Sequence, residues 1–426
     1  MAGKAIKVAA GGCLALVLQA QEPARNLQIS GFGTLGVAST DTHQVGFRRD
    51  SSQPNGIMDK PTWSVDTRFG LQLSAKLGET LLGTLQVVSK YRYDGTYKPE
   101  LSWGCLAWNP VSNLQIRAGY LAVDILPHGD FSNVGYTYLW VRPPVDVFGS
   151  LSLTRMKGLD VSHGFALGAG TTLQVKAFGG TTVEKVPVDH IGDWDMNGGR
   201  FWGVTAKVAS GAWRGRVSAS TFTLPADLPE PVPTLQKVLT GFGAQIPEPK
   251  LAGAAAALAT KGVVTRTYQA GVAWEQGRTQ AQGTLYRFTS DSFLFPSVWS
   301  GFASFGYRLG QVVPYGVFSR VVTARAQRPD LGALPSMPGP LAPVAQEIVR
   351  KMDILAAARG VDQHTLSAGL RWDFIPKADL KFQVDSIRSH NATGLVFNPD
   401  PNAARAWDGR MTVMTVTLDF IFGGGR

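Results

Sequence analysis

Residues 213–222 read Trp-Arg-Gly-Arg-Val-Ser-Ala-Ser-Thr-Phe, and their alternation decides the fold. Val217, Ala219 and Thr221 point one way while Arg214, Arg216, Ser218 and Ser220 point the other, the period of two of an extended strand. The period recurs along the chain. In 63–75, Val65, Thr67, Phe69, Leu71 and Leu73 oppose Ser64, Asp66, Arg68, Gln72 and Ser74. In 113–121, Leu114, Ile116, Ala118 and Tyr120 oppose Gln115 and Arg117, and near the C-terminus Leu366, Ala368, Leu370, Trp372 and Phe374 oppose Ser367, Arg371 and Asp373. The polar faces carry charge in mid-strand and the apolar faces do not. A charge facing lipid at mid-bilayer costs about 2–4 kcal/mol, so the polar face must line a wet interior and the apolar face must meet lipid. A soluble sandwich would show the same alternation, and the joints between strands decide against it.

Seven tight joints stand at 76–78, 109–112, 167–170, 210–212, 276–278, 309–311 and 375–377. Between them lie eight longer polar stretches, at 40–63, 92–98, 123–156, 182–198, 223–263, 290–297, 324–362 and 389–410. Each strand between joints has about ten residues, the length that crosses a bilayer at a steep tilt. The rhythm predicts an all-β transmembrane antiparallel β-barrel of about 16 strands, with short periplasmic turns and long extracellular loops. A count of 14 or 18 would change the register and leave the class intact. Trp213, Trp274, Tyr307, Trp372 and Phe374 fall beside short turns, and Trp63, Tyr91, Tyr120 and Trp299 near long-loop ends, as expected of aromatic girdles at two interfaces.

Composition excludes helical spans. Hydrophobic residues make up 44% of the 426, and no run of about 18 apolar residues exists beyond the N-terminal segment. That segment reads as an export signal over 1–20, with Lys4 and Lys7 before the apolar run Val8 to Leu18 and a small residue at Ala20; 21–426 would be the barrel. Export implies an oxidising compartment. Loss of the signal would remove Cys13 and leave Cys105 alone, expected as a small lipid-facing residue, so no internal disulfide is expected.

The opening strand 29–36, Ile-Ser-Gly-Phe-Gly-Thr-Leu-Gly, and the closing strand 416–422, Val-Thr-Leu-Asp-Phe-Ile-Phe, resemble the first and last strands of Gram-negative outer-membrane porins, the 16-stranded porin superfamily. The resemblance runs over the whole chain after the signal. It implies a place in the cell outer membrane and a water-filled channel for passive diffusion of small hydrophilic solutes. It also implies outer-membrane lipids and lipopolysaccharide, the barrel-assembly machinery and a homotrimer as partners, and a third loop folded into the barrel.

The formal charge is +10, or +8 without Lys4 and Lys7. Inward parity assigns Arg68, Lys90, Arg92, Arg117, Lys176, Lys207, Arg214, Arg216, Arg320, Arg371 and Lys381 to the lumen against Asp66, Glu100, Asp373, Asp385 and Asp419. A low-dielectric tube lined by one sign of charge concentrates counter-ions, so the expectation is an anion bias, with small anionic or polar solutes as cargo. The competing reading is that these arginines pair with inward acids and brace the wall. Arg214 and Arg216 have no acid in their own strand. In the third long stretch, 123–156, Asp124, Asp130 and Asp146 would face the basic wall across a constriction, with Arg142 held beside Pro143 and Pro144. Two other readings stay open: a substrate-selective channel for phosphate or dicarboxylates, and a structural or adhesive barrel blocked by its loops.

Helical patterning at 250–261 and 344–358 predicts short helices within the long loops, resting on the barrel mouth. An enzyme is not expected: Ser162 and His163 adjoin but fall on opposite faces, and no phosphate loop or nucleophile elbow appears. Residues 193–198 open like a calcium loop, yet the twelfth position is Val204, and the six histidines show no metal spacing. No cofactor, metal or nucleic acid is expected.

Overall fold

All seven tight joints are hairpin turns, and the strands they join close on themselves. The computed structural model describes residues 27–423 except 126, 151–152, 189–191, 247, 325–327, 358–359, 391–396 and 400–406. The expected signal at 1–20 lies outside the described residues. Among the described residues the barrel consists of β1 Leu27–Thr40, β2 Arg68–Lys76, β3 Leu81–Lys90, β4 Glu100–Val111, β5 Leu114–Ala122, β6 Arg155–Gly168, β7 Thr171–Thr182 and β8 Arg200–Ser210. It continues through β9 Trp213–Thr223, β10 Val264–Gln276, β11 Thr279–Ser290, β12 Val298–Tyr307, β13 Val312–Thr323, β14 Asp362–Ile375, β15 Ala378–Ser389 and β16 Arg410–Gly423. Neighbours in sequence pair antiparallel, and β1 pairs with both β2 and β16, which closes the ring. Closure leaves no unpaired edge, the condition for a sheet to stand in lipid. At the turns Gly277 and Gly310 take φ of 62° and 64°, a left-handed backbone that glycine adopts without penalty.

The outer surface is a belt of exposed apolar side chains, among them Leu71, Leu85, Leu285, Phe318 and Leu366. Trp213, Tyr307 and Trp372 are exposed beside the short turns, and Trp63, Trp202 and Trp299 nearer the long loops. No helix among the described residues is long and apolar enough to cross a membrane. Among the described residues four α-helices lie in the long loops: α1 Val145–Phe148, α2 Val232–Gln245, α3 Pro249–Ala256 and α4 Ala342–Ala357. The last two answer the patterning at 250–261 and 344–358, and α2 was not foreseen. Leu235, Leu239 and Phe242 of α2 and Leu251 of α3 are buried in one apolar cluster that also holds Ile348 and Met352 of α4.

Two side chains face the other way from the sequence expectation. In β4 the register shifts: Gln86 lies opposite Trp103, while Val87 lies opposite Leu101, so Ser102 is the extra residue of a bulge. One extra residue reverses the alternation. Glu100 therefore keeps its place at the mouth, 3.2 Å from Arg155, whereas Cys105 turns inward and is buried in the same apolar cluster as Leu121 instead of facing lipid. Arg320 of β13 is the second correction. Val317, Ser319 and Val321 are buried inside, so Phe318 and Arg320 point out, and Arg320 lies at the rim with Asp362 at 3.1 Å. The interior face of β13 is mostly apolar because α1 packs against it, so polarity marks the wrong face there.

Candidate functional site

The loop between β5 and β6 crosses the barrel interior, and charged side chains fasten it to the wall. Its first anchor is Asp124, two residues past β5. Oδ2 lies 2.8 Å from Lys176 Nζ of β7 and 3.6 Å from Lys207 Nζ of β8, and Oδ1 accepts from Arg216 Nη1 of β9 at 2.9 Å. Arg216 Nη2 also donates to the Asp124 carbonyl at 2.8 Å, and Ser218 Oγ donates to that of Ile125 at 3.0 Å. Burial alone would raise the Asp124 carboxyl, but Lys176, Arg216 and Lys207 hold it far below the ordinary range. Three cations thus meet one acid.

Beyond this anchor the loop becomes aromatic. His128 takes a φ of 72° and packs edge-on against Phe131, Tyr138 and Trp140, with ring centroids 5.1, 5.4 and 6.1 Å away. Trp140 lies 5.4 Å from Phe302 of β12, joining the cluster to the wall. Burial, then the nearby Arg216 and Lys207, push His128 down to about 4, so it is neutral at pH 7. At the far wall the loop's carbonyls are gripped from below. Arg371 Nη1 donates to the carbonyls of Tyr136 and Tyr138 at 2.9 and 2.7 Å, and the fully buried Lys381 Nζ donates to that of Gly135 at 2.8 Å. Arg371 is itself held by Asp373 at 2.7 Å and Asp379 at 3.0 Å, and Lys381 by Asp419 at 3.0 Å.

Arg142 forms the tightest clamp. Its side chain is 2% exposed, and it donates to Asp66 through Nε at 3.1 Å and Nη2 at 2.6 Å, and to Asp385 through Nη1 at 3.0 Å. Nη2 also reaches Thr415 Oγ1 at 2.6 Å. Burial opposes the charge on Asp66, but Arg142, then Arg49 and Arg68, bring it to about 2. Four residues on, Asp146 of α1 accepts from Ser319 Oγ at 2.7 Å and Gln363 Nε2 at 2.5 Å, both neutral donors, and burial pushes it up to about 6. A void of about 10 Å³ remains between Phe47, Trp140, Arg142, Val317 and Gln383, no larger than one water needs.

The expected lumen residues therefore separate. Arg117 is buried and forms a forked pair with Asp160 at 2.5–3.1 Å. Arg68 is buried and donates Nε to the Asp66 carbonyl at 3.1 Å. Arg142, Arg216 and Arg371 brace the loop, and Lys90 lies half-buried beside Arg68 in the register. Arg214 is exposed at the turn end of β9, bonded to the carbonyls of Gly211 and Trp213. The Asp130 side chain lies outside the described residues. Below the loop, Gln72, Gln115, Gln174, Lys207 and Gln282 are half-exposed on the inner wall, forming a vestibule toward the turns. Sequence reasoning missed Asp160, Asp379, Lys176's hold on Asp124, and the aromatic filling; inward parity alone could have found the first two.

No protein-family model matches the chain, and no curated protein matches it in sequence. Solved structures do match in shape. Outer-membrane expressed OmpT of Vibrio cholerae is 9% identical with a TM-score of 0.52, covering 94% of this chain and 99% of that one. A trimer form of in-vitro folded Vibrio cholerae OmpT is 9% identical with a TM-score of 0.50, covering 93% and 100%. Salmonella typhi OmpF in complex with daunomycin is 11% identical with a TM-score of 0.51, covering 93% and 97%. The chain has the fold of the 16-stranded outer-membrane porins.

Proposed function

We propose that this protein is a narrow diffusion channel of the outer membrane that passes small hydrophilic solutes and favours anions. The observation that carries this reading is the meeting of Lys176, Lys207 and Arg216 at the single carboxylate of Asp124, with Arg214 exposed one strand repeat away. The positive charges of Lys207 and Arg214 face the vestibule, where a low-dielectric wall strengthens their field. Most other inward cations are neutralised by Asp160, Asp66, Asp385, Asp373, Asp379 and Asp419, so the bias rests on these two rather than on the whole wall. The reading involves no catalytic step, and it is supported by the separation of Ser162, buried inside β6, from His163, which points outward against Phe165. A homotrimer is the assembly we propose, by analogy with the trimer form of Vibrio OmpT.

The test is Lys207→Glu with Arg214→Glu, read as reversal potential across a planar bilayer in a KCl gradient. The potential should move toward the cation side, most in dilute salt, since screening acts within about 10 Å at 0.1 M. An unchanged potential in the folded double variant would remove the basis of the anion preference. A second reading, a barrel closed by its loops, draws on the tight seating of the Arg142 segment and the apolar packing around Trp140. It predicts no stable conductance.

A further inference from the structure

Gly271 leaves a gap in the inner wall beside the anchor at Asp124. A Cβ there would meet Gln269 Nε2 at 2.7 Å and Thr284 Oγ1 at 2.8 Å, so two polar atoms converge on the space that the glycine leaves empty. The register sets Gly271 of β10 between Arg216 of β9 and Thr284 of β11. Arg216 Nε donates to Gln269 Oε1 at 2.8 Å, which fixes the amide's orientation and turns its NH2 end to the gap. Gln269 is 4% exposed, and its Nε2 is buried with no hydrogen-bond partner among the described residues. Tyr286, paired in register with Gln269, is equally buried, and its hydroxyl has no partner among the described residues either. Buried donors without acceptors cost free energy, which a bound acceptor would recover. Gly271 is half-buried, and so are Ala273 and its register partner Gln282 one strand repeat toward the turns. The gap therefore opens to the vestibule.

What the gap offers is donors. Gln269 Nε2 can only donate, and the hydroxyls of Thr284 and Tyr286 can donate as well. Arg216, held on Asp124 at 2.9 Å, adds positive potential from the neighbouring strand. The row continues from Thr284 to Phe302, whose ring packs against Trp140 at 5.4 Å, so the far side is apolar. An ion resting here gives up part of its water shell, and neutral donors return only a modest share each. Phosphate and dicarboxylates hold their water too tightly for that exchange, whereas a monovalent anion of diffuse charge does not. We propose that the gap over Gly271 is a resting site for weakly hydrated monovalent anions, such as nitrate or bromide, and ranks them above chloride in passage. This deepens the channel reading above and rests on it for the ion's path.

The test is the reversal potential of the folded barrel in a planar bilayer with KCl on one side and an equal concentration of KNO3 on the other. Nitrate should pass about threefold more readily than chloride, the worth of one modest hydrogen bond. Gly271→Ala fills the gap with a methyl group, and Thr284→Val removes a donor while keeping the side chain's shape. Each should bring the ratio to about one and leave the reversal potential in a KCl gradient unchanged. A wild-type ratio near one, or a folded variant of either kind that keeps the wild-type preference, would overturn the site. Phosphate passing more readily than nitrate would overturn it too. A wild-type barrel with no anion preference in KCl but the nitrate ratio intact would defeat the anion-bias reading alone. In a barrel that does not conduct, crystals of the whole chain soaked in bromide decide. Anomalous density over Gly271 that vanishes in Gly271→Ala supports the site; its absence from the wild type, or its persistence in the variant, overturns it. A folded β signature by circular dichroism qualifies each variant.

Discussion

Replacing Arg142 with Met removes the guanidinium that fastens the third loop to β15, β16 and Asp66, two residues before β2, while keeping most of the side chain's length. Asp66 would retain Arg49 at 3.2 Å, but among the described residues Asp385 would keep only the Gln383 amide at 2.6 Å as a donor. Removing one partner of a buried pair costs about 3–5 kcal/mol, because the remaining charge stays desolvated. The exposed Arg320–Asp362 pair gives the contrast, since Arg320→Met should cost only about 0.2–1 kcal/mol. Urea unfolding of the barrel in lipid vesicles reads both. Asp385→Asn placed together with Arg142→Met should recover part of the loss, a coupling of about 1–3 kcal/mol for residues in one network. In bilayer recordings the Arg142→Met channel should be noisier and conduct more, as the loop loses its clamp. A cost no larger than that of Arg320→Met, with an unchanged current trace, would refute the idea that this network holds the loop.

Other outcomes follow from the same geometry. Asp146, raised to about 6 against about 3.9 for an ordinary carboxyl, holds its proton more tightly folded than unfolded. Stability should therefore be full below about pH 4 and fall as pH rises to about 6; Asp146→Asn should abolish that fall and add at most about 3 kcal/mol at neutral pH, and an unaltered pH slope would count against it. Cys105, buried and inward, should resist a lipid-soluble maleimide until the barrel is unfolded, and rapid labelling from the lipid phase would show that the bulge at Ser102 is misassigned. Gly277→Cys and Gly310→Cys, in the turns, should react with an impermeant reagent only after the outer membrane is permeabilised. Their labelling in intact cells would reverse the orientation.

Strand number, turns and loops were legible because each is written locally. Gly277 or Gly310 marks a turn within three residues, and a period of two marks a wall. What escaped depends on contacts far apart in sequence. Arg216 looked unpaired because its acid, Asp124, lies 92 residues away in a loop. Cys105 was placed on the wrong face because one extra residue at Ser102 is invisible to parity. Arg320 was misplaced because the inner side of β13 packs a loop and is as apolar as the outer side. The helix α2 begins with Pro231 before it and Pro233 within its first turn; proline is at home there, and Leu235, Leu239 and Phe242 carry the helical spacing. The expected basic lining proved to be bracing for most of its members, which sequence could not decide between.

Ion conduction by the wild-type barrel is the decisive measurement of whether the lumen is open. The folded protein is added to a planar bilayer under a KCl gradient, and current is recorded at zero and applied voltage. An anion-favouring channel narrowed by its third loop should give stable, small unitary steps with a reversal potential on the anion side. A folded barrel that inserts yet gives no stable conductance would contradict it, and would leave the third loop as a plug rather than a constriction.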